Sequence, residues 1–419
     1  MAAALFNVKE HIIDASHIRE FAYATANSQD AALKLHVKQY TPKDNPSPRR
    51  GDVTLIGAHA NGFPKELYEP FLNDLYQELN KCGVRIRDVW FADCAWQGQS
   101  GILNQERGLL GNDPSWYDYS RDILHMINTF RMPRPLVAVG HSFGANVLSY
   151  TALLHPRLFH SMVLLDPAIA CYHTSRPMDF RASPAAASVG RRDRWPSREA
   201  AAALFKKAPF YQAWDPRVLE QWIKYGLHNT TADPNGEVVL ATTKHQEVFT
   251  FLRPSWPAFD AEGKTAIDPK WMPDAGTSIK VEYPMYPFYR PEAINTFIRM
   301  PSLRPGIVFI LGGQSNVVSD ADVKTRTETT GTGLGGSGGV ASGRVKEVVH
   351  EDYGHLIPME VPRFCAQHAA DFLKNELDIW AVEEAEYEEW AKKSNTDKVT
   401  ISQEFKKHLG VTDKPRAKM

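Results

Sequence analysis

Apolar and polar residues alternate over positions 33–40, the two-residue period of a half-buried strand. A polar, proline-rich stretch at 42–51 predicts a turn. Positions 53–58 form a short apolar run that ends in His59-Ala60-Asn61-Gly62 and reads as a central strand leaving into a loop. Apolar residues then fall three or four apart over 67–79, the spacing of a helix, and 84–91 is a second strand candidate. In 115–130, Trp116, Ile123, Met126, Ile127 and Phe130 mark one helical face. A wholly apolar strand at 136–139 is followed by a helix over 143–154 and another strand at 161–165. Apolar strands separated by helices predict a mostly parallel sheet covered on both faces.

The pattern breaks between about 170 and 300. This segment is rich in Pro, Trp and Arg, holds helical pieces at 197–207 and 217–225, and carries five of the ten tryptophans, at 195, 214, 222, 256 and 271. Sheet-forming runs resume at 306–311 and 345–350, a last core helix covers about 361–377, and a separate charged helix is expected at 382–392. The division this predicts is a first part of the core at 1–169, a mainly helical cap insertion at 170–300, a second part of the core at 301–378, and a C-terminal helix and tail at 379–419. A glycine-rich stretch at 327–343 contains a G-x-G-x-x-G string. It does not open a helix directly after a strand and no GK[ST] follows, so it reads as a flexible loop between core strands, not a nucleotide site.

Composition narrows the function classes. The 419 residues carry 48 Lys and Arg against 49 Asp and Glu, a net charge of −1. Such a balance gives no whole-molecule field for nucleic acid or an anionic membrane. Four widely spaced cysteines, at 82, 94, 171 and 365, form no CxxC pair and read as free thiols in a reducing compartment. The N-terminus lacks the basic region and long apolar run of a secretory signal, and the longest apolar runs fall far short of the roughly 20 residues that span a bilayer. A soluble, intracellular protein without stable membrane insertion is expected. At the other end, Ala417-Lys418-Met419 is a small–basic–apolar variant of the SKL peroxisomal address.

The chemistry concentrates in Gly140-His141-Ser142-Phe143-Gly144, placed between an apolar strand and a helix. G-x-S-x-G in that setting is the nucleophile elbow of α/β-hydrolases: the serine sits in a strained turn above the sheet, and side chains at 140 or 144 would collide with neighbouring backbone. A serine hydroxyl needs a base. Two histidines lie after the last strand candidate. His355, in the loop Gly354-His355-Leu356-Ile357-Pro358-Met359-Glu360, is the expected base, with His350 as a strand-end residue. The acid has two candidate places. The loop after the 306–311 strand, Gly312-Gly313-Gln314-Ser315-Asn316, holds no carboxylate until Asp320 and Asp322. Asp166, at the C-terminal end of the 161–165 strand, is the other, on the edge where functional groups of such sheets gather. For the oxyanion, the expected donors are the Phe143 N–H and a group near Ala60 or Asn61, through backbone N–H or the Asn61 side chain. No metal or organic cofactor is called for.

The chain resembles α/β-hydrolases, and within them a fungal peroxisomal branch. The likeness is carried by His36-Val37-Lys38-Gln39-Tyr40-Thr41-Pro42-Lys43, Phe63-Pro64-Lys65-Glu66-Leu67-Tyr68-Glu69-Pro70, Leu154-His155-Pro156-Arg157-Leu158-Phe159 and Trp195-Pro196-Ser197-Arg198-Glu199. These are similar to the acyl-CoA hydrolases of mycophenolic acid biosynthesis over about residues 8–375, and more distantly to host-selective toxin hydrolases and the yeast peroxisomal lipase. The resemblance implies an α/β-hydrolase fold with a cap, a Ser-His-Asp triad with its acid at Asp166, a peroxisomal matrix location read by an import receptor, and hydrolysis of an acyl-CoA thioester in fungal secondary metabolism. A carboxylester hydrolase or lipase, and a non-catalytic hydrolase-fold binding protein, are the alternatives. Arg191, Arg192, Arg194 and Arg198, at the start of the cap, are candidate contacts for the phosphates of CoA, with a solvated helix face as the other reading. A homodimer is compatible with the sequence.

Overall fold

The computed structural model describes residues 2–171, 180–273, 275 and 286–411. An eight-stranded sheet forms its centre: β1 (Phe6–Asp14), β2 (Lys34–Pro42), β3 (Val53–Ala58), β4 (Ile86–Ala92), β5 (Leu136–His141), β6 (Ser161–Leu165), β7 (Gly306–Gly312) and β8 (Val345–His350). Their order across the sheet is β1-β2-β4-β3-β5-β6-β7-β8. β1 pairs with β2, and β2 with β4, antiparallel; every other pair is parallel. The four strands β3, β5, β6 and β7 are buried along their whole length, which is why they read as unbroken apolar runs.

Helices cover both faces, among them α1 (Glu69–Lys81), α2 (Trp116–Thr129) and α3 (Phe143–Leu154). The core packs Ile56, Ala138, Met162 and Phe309 from the strands against Tyr119, Ile123, Met126, Val147 and Leu148 from α2 and α3. The registers bring the carboxyl ends level: Ala58 opposes Gly140, His141 opposes Leu165, Leu165 opposes Ile310, and Gly312 opposes His350. Residues just past these ends therefore meet at one edge of the sheet.

Between β6 and β7 the chain leaves the sheet. It forms α4 (Pro184–Gly190), α5 (Arg198–Phe205), α6 (Pro216–Tyr225), α7 (Lys244–Phe251) and α8 (Pro291–Arg299). It also forms a three-stranded antiparallel sheet of Arg194–Trp195, Val238–Leu240 and Leu227–Asn229, which the mainly helical expectation lacked. Side-chain oxygens of Ser183, Ser197, Asp215 and Thr243 cap the N-termini of α4 to α7. Phe205, Tyr211, Trp214 and Trp222 stack into a small aromatic core of their own, with ring centroids 4.7–6.1 Å apart in successive pairs.

The glycine-rich stretch departs from the expected flexible loop. Positions 327–329 end helix α9 (Asp320–Thr329). Beyond them Gly331, Gly333 and Ser337 donate backbone hydrogen bonds to Met300, Pro301 and Leu303. A Cβ on Gly336 would lie 2.4 Å from the Gly331 carbonyl, so the glycines permit backbone to lie on backbone.

The chain forms two compact units, Met1–Lys374 and Asn375–Met419. The boundary falls within one continuous helix, α10 (Pro362–Ala391), where two helices were expected. No Gly or Pro interrupts 362–391 after its first residue, so a change of polarity there does not end the helix. The second unit adds two short helices, Asn395–Val399 and Gln403–His408, capped by Ser394 and Ser402. Among the described residues no helix is long and apolar enough to cross a membrane.

Candidate active site

Strand β5 turns into α3 through Ser142, which takes φ 53° and ψ −116°, a conformation rarely open to a side-chain-bearing residue. Backbone bonds hold the strained turn. The Ser142 N–H donates to the Leu165 carbonyl (3.0 Å), and its own carbonyl accepts from Ala168 (3.0 Å) and from Ala145 (3.2 Å). The two glycines leave room for it: a Cβ on Gly140 would stand 2.7 Å from Ala145 Cα, and one on Gly144 2.3 Å from the Ala58 carbonyl.

His355 comes from the loop after β8, and its Nε2 is 2.7 Å from Ser142 Oγ. Its Nδ1 is 2.8 Å from Asp166 Oδ1. Asp166 ends β6 at φ 39°. Its Oδ2 accepts from the Gly312 N–H (3.0 Å) and its Oδ1 from the Ser315 hydroxyl (2.9 Å), both on the neighbouring β7 turn. Burial alone would raise the Asp166 pKa, but the bond and charge of His355, with the Gly312 and Ser315 donors, hold it below the usual carboxylate range. Behind this turn the buried Arg326 donates to the Pro167 carbonyl (3.1 Å), and burial lowers its own pKa to about 10. His350 is elsewhere, boxed by Tyr353 and Phe364 with ring centroids 4.6 Å away. Asp320 and Asp322 open α9, where Ser319 caps the Asp322 N–H.

The loop after β3 is fixed through buried side chains. His59 Nδ1 donates to the Ala60 carbonyl (2.9 Å), and its Nε2 accepts from the Cys94 N–H (3.0 Å). Burial lowers the His59 pKa, so the ring stays neutral in this role. The Ala60 N–H is spent on the Tyr68 hydroxyl at 2.8 Å. This removes Ala60 from the expected pair of oxyanion donors. The Asn61 carboxamide also points elsewhere, donating to the Glu247 carbonyl (3.0 Å) and accepting from Gln97 (2.6 Å). What remains of that expectation is the Asn61 backbone N–H, beside the Phe143 N–H at the first position of α3, where a helix supplies no acceptor.

The profile of the alpha/beta hydrolase family matches residues 55–368, from β3 to the helix after His355. The chain belongs to that family. Among its relatives, the type I acyl-CoA thioesterase mpaH' of Penicillium brevicompactum is 38% identical over 93% of this chain and 92% of its own. The type I acyl-CoA thioesterase mpaH of Penicillium roqueforti is 38% identical over the same shares. The abhydrolase domain-containing protein AFT2-1 of Alternaria alternata is 27% identical over 59% of this chain and 87% of its own. Among solved structures, the peroxisomal alpha-beta-hydrolase Lpx1 of Saccharomyces cerevisiae superposes with a TM-score of 0.67 at 16% identity, covering 97% of this chain and 96% of the other. That last likeness is one of fold.

The cap of this α/β-hydrolase meets the site at several points. Asp215 donates its N–H to the Met359 carbonyl in the histidine loop (2.9 Å). Phe63 packs on Trp214 and Trp222, 5.7 and 6.0 Å away between ring centroids. Glu247, buried and raised in pKa by that burial, accepts from Ser188 (2.8 Å) and pairs with Arg191. Gly62 takes φ 85°, which favours glycine, and a Cβ on it would stand 2.9 Å from the Glu247 carboxyl carbon.

The four arginines proposed for phosphate all have partners inside the protein. Arg198 is committed: it donates to the carbonyls of Ile223 (2.7 Å), Lys224 (3.0 Å) and Leu227 (3.3 Å), and to Asn229 Oδ1 (2.7 Å). It closes the C-terminal end of α6 and is corrected here from ligand contact to structural staple. Arg191 pairs with Glu247, Arg194 with Glu237, and Arg192 Nε with the Arg194 carbonyl. Ala417, Lys418 and Met419 lie outside the described residues. Tyr68, Ser315 and Arg326 were not foreseen as parts of the site. Ser315 stood in a loop searched only for carboxylates, and nothing local in the sequence marks Tyr68 or Arg326.

Proposed function

We propose that this hydrolase is a serine enzyme that cleaves an acyl-CoA thioester. The observation that carries the serine mechanism is the unbroken line Ser142 Oγ–His355–Asp166, at 2.7 and 2.8 Å. His355 takes the proton from Ser142 as the hydroxyl attacks the thioester carbonyl. Asp166 holds the imidazole in the tautomer with Nδ1–H and stabilises the cation that forms. The N–H groups of Phe143 and Asn61 receive the oxyanion. The thiolate leaves with the proton from His355, and water, activated by the same histidine, releases the acid. No step of this mechanism calls for a metal.

The thioester is supported by the relatives of 38% identity named acyl-CoA thioesterases, which run over nearly the whole chain, cap included. Arg192 and Arg194, exposed at the start of the cap, remain the proposed phosphate contacts. The setting proposed with it is fungal secondary metabolism in the peroxisomal matrix, reached through Ala417-Lys418-Met419 and the import receptor.

The test is release of free thiol from a panel of acyl-CoAs beside matched p-nitrophenyl esters, with Ser142→Ala as the blank. Turnover of thioesters well above esters, lost in the variant, is expected. Turnover of esters alone would replace the thioesterase with a carboxylester hydrolase; no turnover of either, with no labelling of Ser142 by a fluorophosphonate, would leave a binding protein.

A further inference from the structure

A chain of hydrogen bonds through two buried side chains joins the two halves of the site. The Ala60 N–H donates to Tyr68 Oη at 2.8 Å. Tyr68 Oη is 2.9 Å from His141 Nδ1. His141 Nε2 is 2.9 Å from the backbone carbonyl of His355. The carbonyl can only accept, so Nε2 carries the proton, Nδ1 is bare, and the Tyr68 hydroxyl must donate to it. Every proton in the chain is thus assigned, and all run one way, from the loop after β3 to the histidine loop. Tyr68 and His141 are 1% and 0% exposed, so no water competes for the bond between their side chains. Burial first, then the neighbouring His355 imidazole, push the His141 pKa down to about 3. His141 therefore stays neutral, with its proton on Nε2, even when His355 becomes a cation.

We infer that Tyr68 and His141 are positioning residues that set the oxyanion donor and the catalytic base from one relay. This rests on the serine-hydrolase reading above. Holding the Ala60 N–H anchors the peptide that enters Ala60, while His59 Nδ1 (2.9 Å) and the Phe63 N–H (3.2 Å) hold the Ala60 carbonyl of the next peptide, so the Asn61 N–H in that same plane is fixed from both sides. Holding the His355 carbonyl fixes the backbone from which the imidazole hangs, a second restraint beside the one Asp166 places on the ring. A base that must face Ser142 Oγ at 2.7 Å and an amide that must face the oxyanion are thereby referred to one rigid object. Tyr68 is itself clamped, stacked on Phe91 with centroids 5.2 Å apart. His141 packs beside the His355 ring, centroids 5.2 Å apart, but its hydrogen bonds go to Tyr68 and the His355 carbonyl and not to the reacting imidazole or Ser142 Oγ.

The test uses the full chain and the rate constant for labelling of Ser142 by a fluorophosphonate, followed across pH. This readout needs the nucleophile, base and oxyanion donors but no particular substrate. If the native protein does not label, the serine-hydrolase reading itself fails. If it labels, Tyr68→Phe, which keeps the ring and removes one oxygen, should lower the plateau rate about tenfold or more at an unshifted pH midpoint. On whichever ester or thioester is turned over, kcat should fall and KM stay within about twofold. His141→Gln, whose amide N–H can still reach the His355 carbonyl, should retain several times the activity of His141→Ala. A Tyr68→Phe plateau within twofold of native, a loss explained by a lower folded fraction, or a pH curve that shifts without losing height would each overturn the inference.

Discussion

Asp166 and His141 flank the same imidazole and make opposite demands on pH. On the proposed mechanism Asp166 must be ionised, and the bond and charge of His355, with the Gly312 and Ser315 donors, hold its pKa low against the burial that would raise it. Asp166→Asn keeps the shape but removes the charge and favours the wrong tautomer, so kcat should fall by about four orders of magnitude. A mild effect, joined to a severe one for Asp320→Asn, would move the acid to the following turn. His141 must stay uncharged. Below its ordinary pKa of 6.5 the unfolded chain binds a proton that native His141 refuses until about pH 3. The unfolded state then holds more protons, so stability is lost as the pH is lowered through this window, by about 1.4 kcal/mol per unit from this residue alone. Urea titrations at pH 7, 6, 5 and 4 should show a flatter fall for His141→Gln than for the native protein. Parallel curves would mean the ring is protonated in the native state.

At the scale of elements, the strands that hold the site were the most legible part of the sequence. Runs 53–58 and 161–165 are β3 and β6 to the residue, because buried parallel strands leave sharp edges in the pattern; the run 345–350 also matches β8, although that strand lies at the sheet edge with only Val345 fully buried. Strand β1 was missed. It lies at the sheet edge with most side chains exposed, so Lys9, Glu10 and His11 occupy it at no cost and blur the period. The serine motif and the histidine loop announced themselves through local chemistry. The relay through Tyr68 did not, because it is assembled by tertiary packing from residues far apart in the chain. Arg198 misled for a related reason: its charge is plain in sequence, but whether a guanidinium meets solvent or, as here, the four residues Ile223, Lys224, Leu227 and Asn229 is decided only by the fold. Arg198→Met keeps the aliphatic stem and removes the staple on α6. A loss of about 1–3 kcal/mol in unfolding free energy and faster tryptic cleavage within the cap are expected. The ratio of KM values for acyl-CoA and the matching acyl-pantetheine should not change; a selective rise for acyl-CoA would return Arg198 to the phosphates.

For the molecule as a whole, the charge balance and the buried site are independent of where the protein is sent. Removing Ala417–Met419 should leave a fluorescent fusion, tagged at its N-terminus, diffuse in the cytosol while kcat and KM of the purified protein stay unchanged. Continued accumulation in peroxisomes would show that another feature carries the address.

The β7 turn sets a second position beside the Asp166 carboxylate. Ser315 already reaches the Asp166 carboxylate from the strand that most α/β-hydrolases use for their acid. Two berths for one carboxylate therefore exist side by side, one occupied and one serving it. A lineage can gain an acid at the second berth while the first still works, then lose the first without ever passing through an inactive ancestor. An acid proposed on β6 thus has an adjacent position from which another carboxylate could take over, and chains carrying carboxylates at both positions are the ones to look for among relatives.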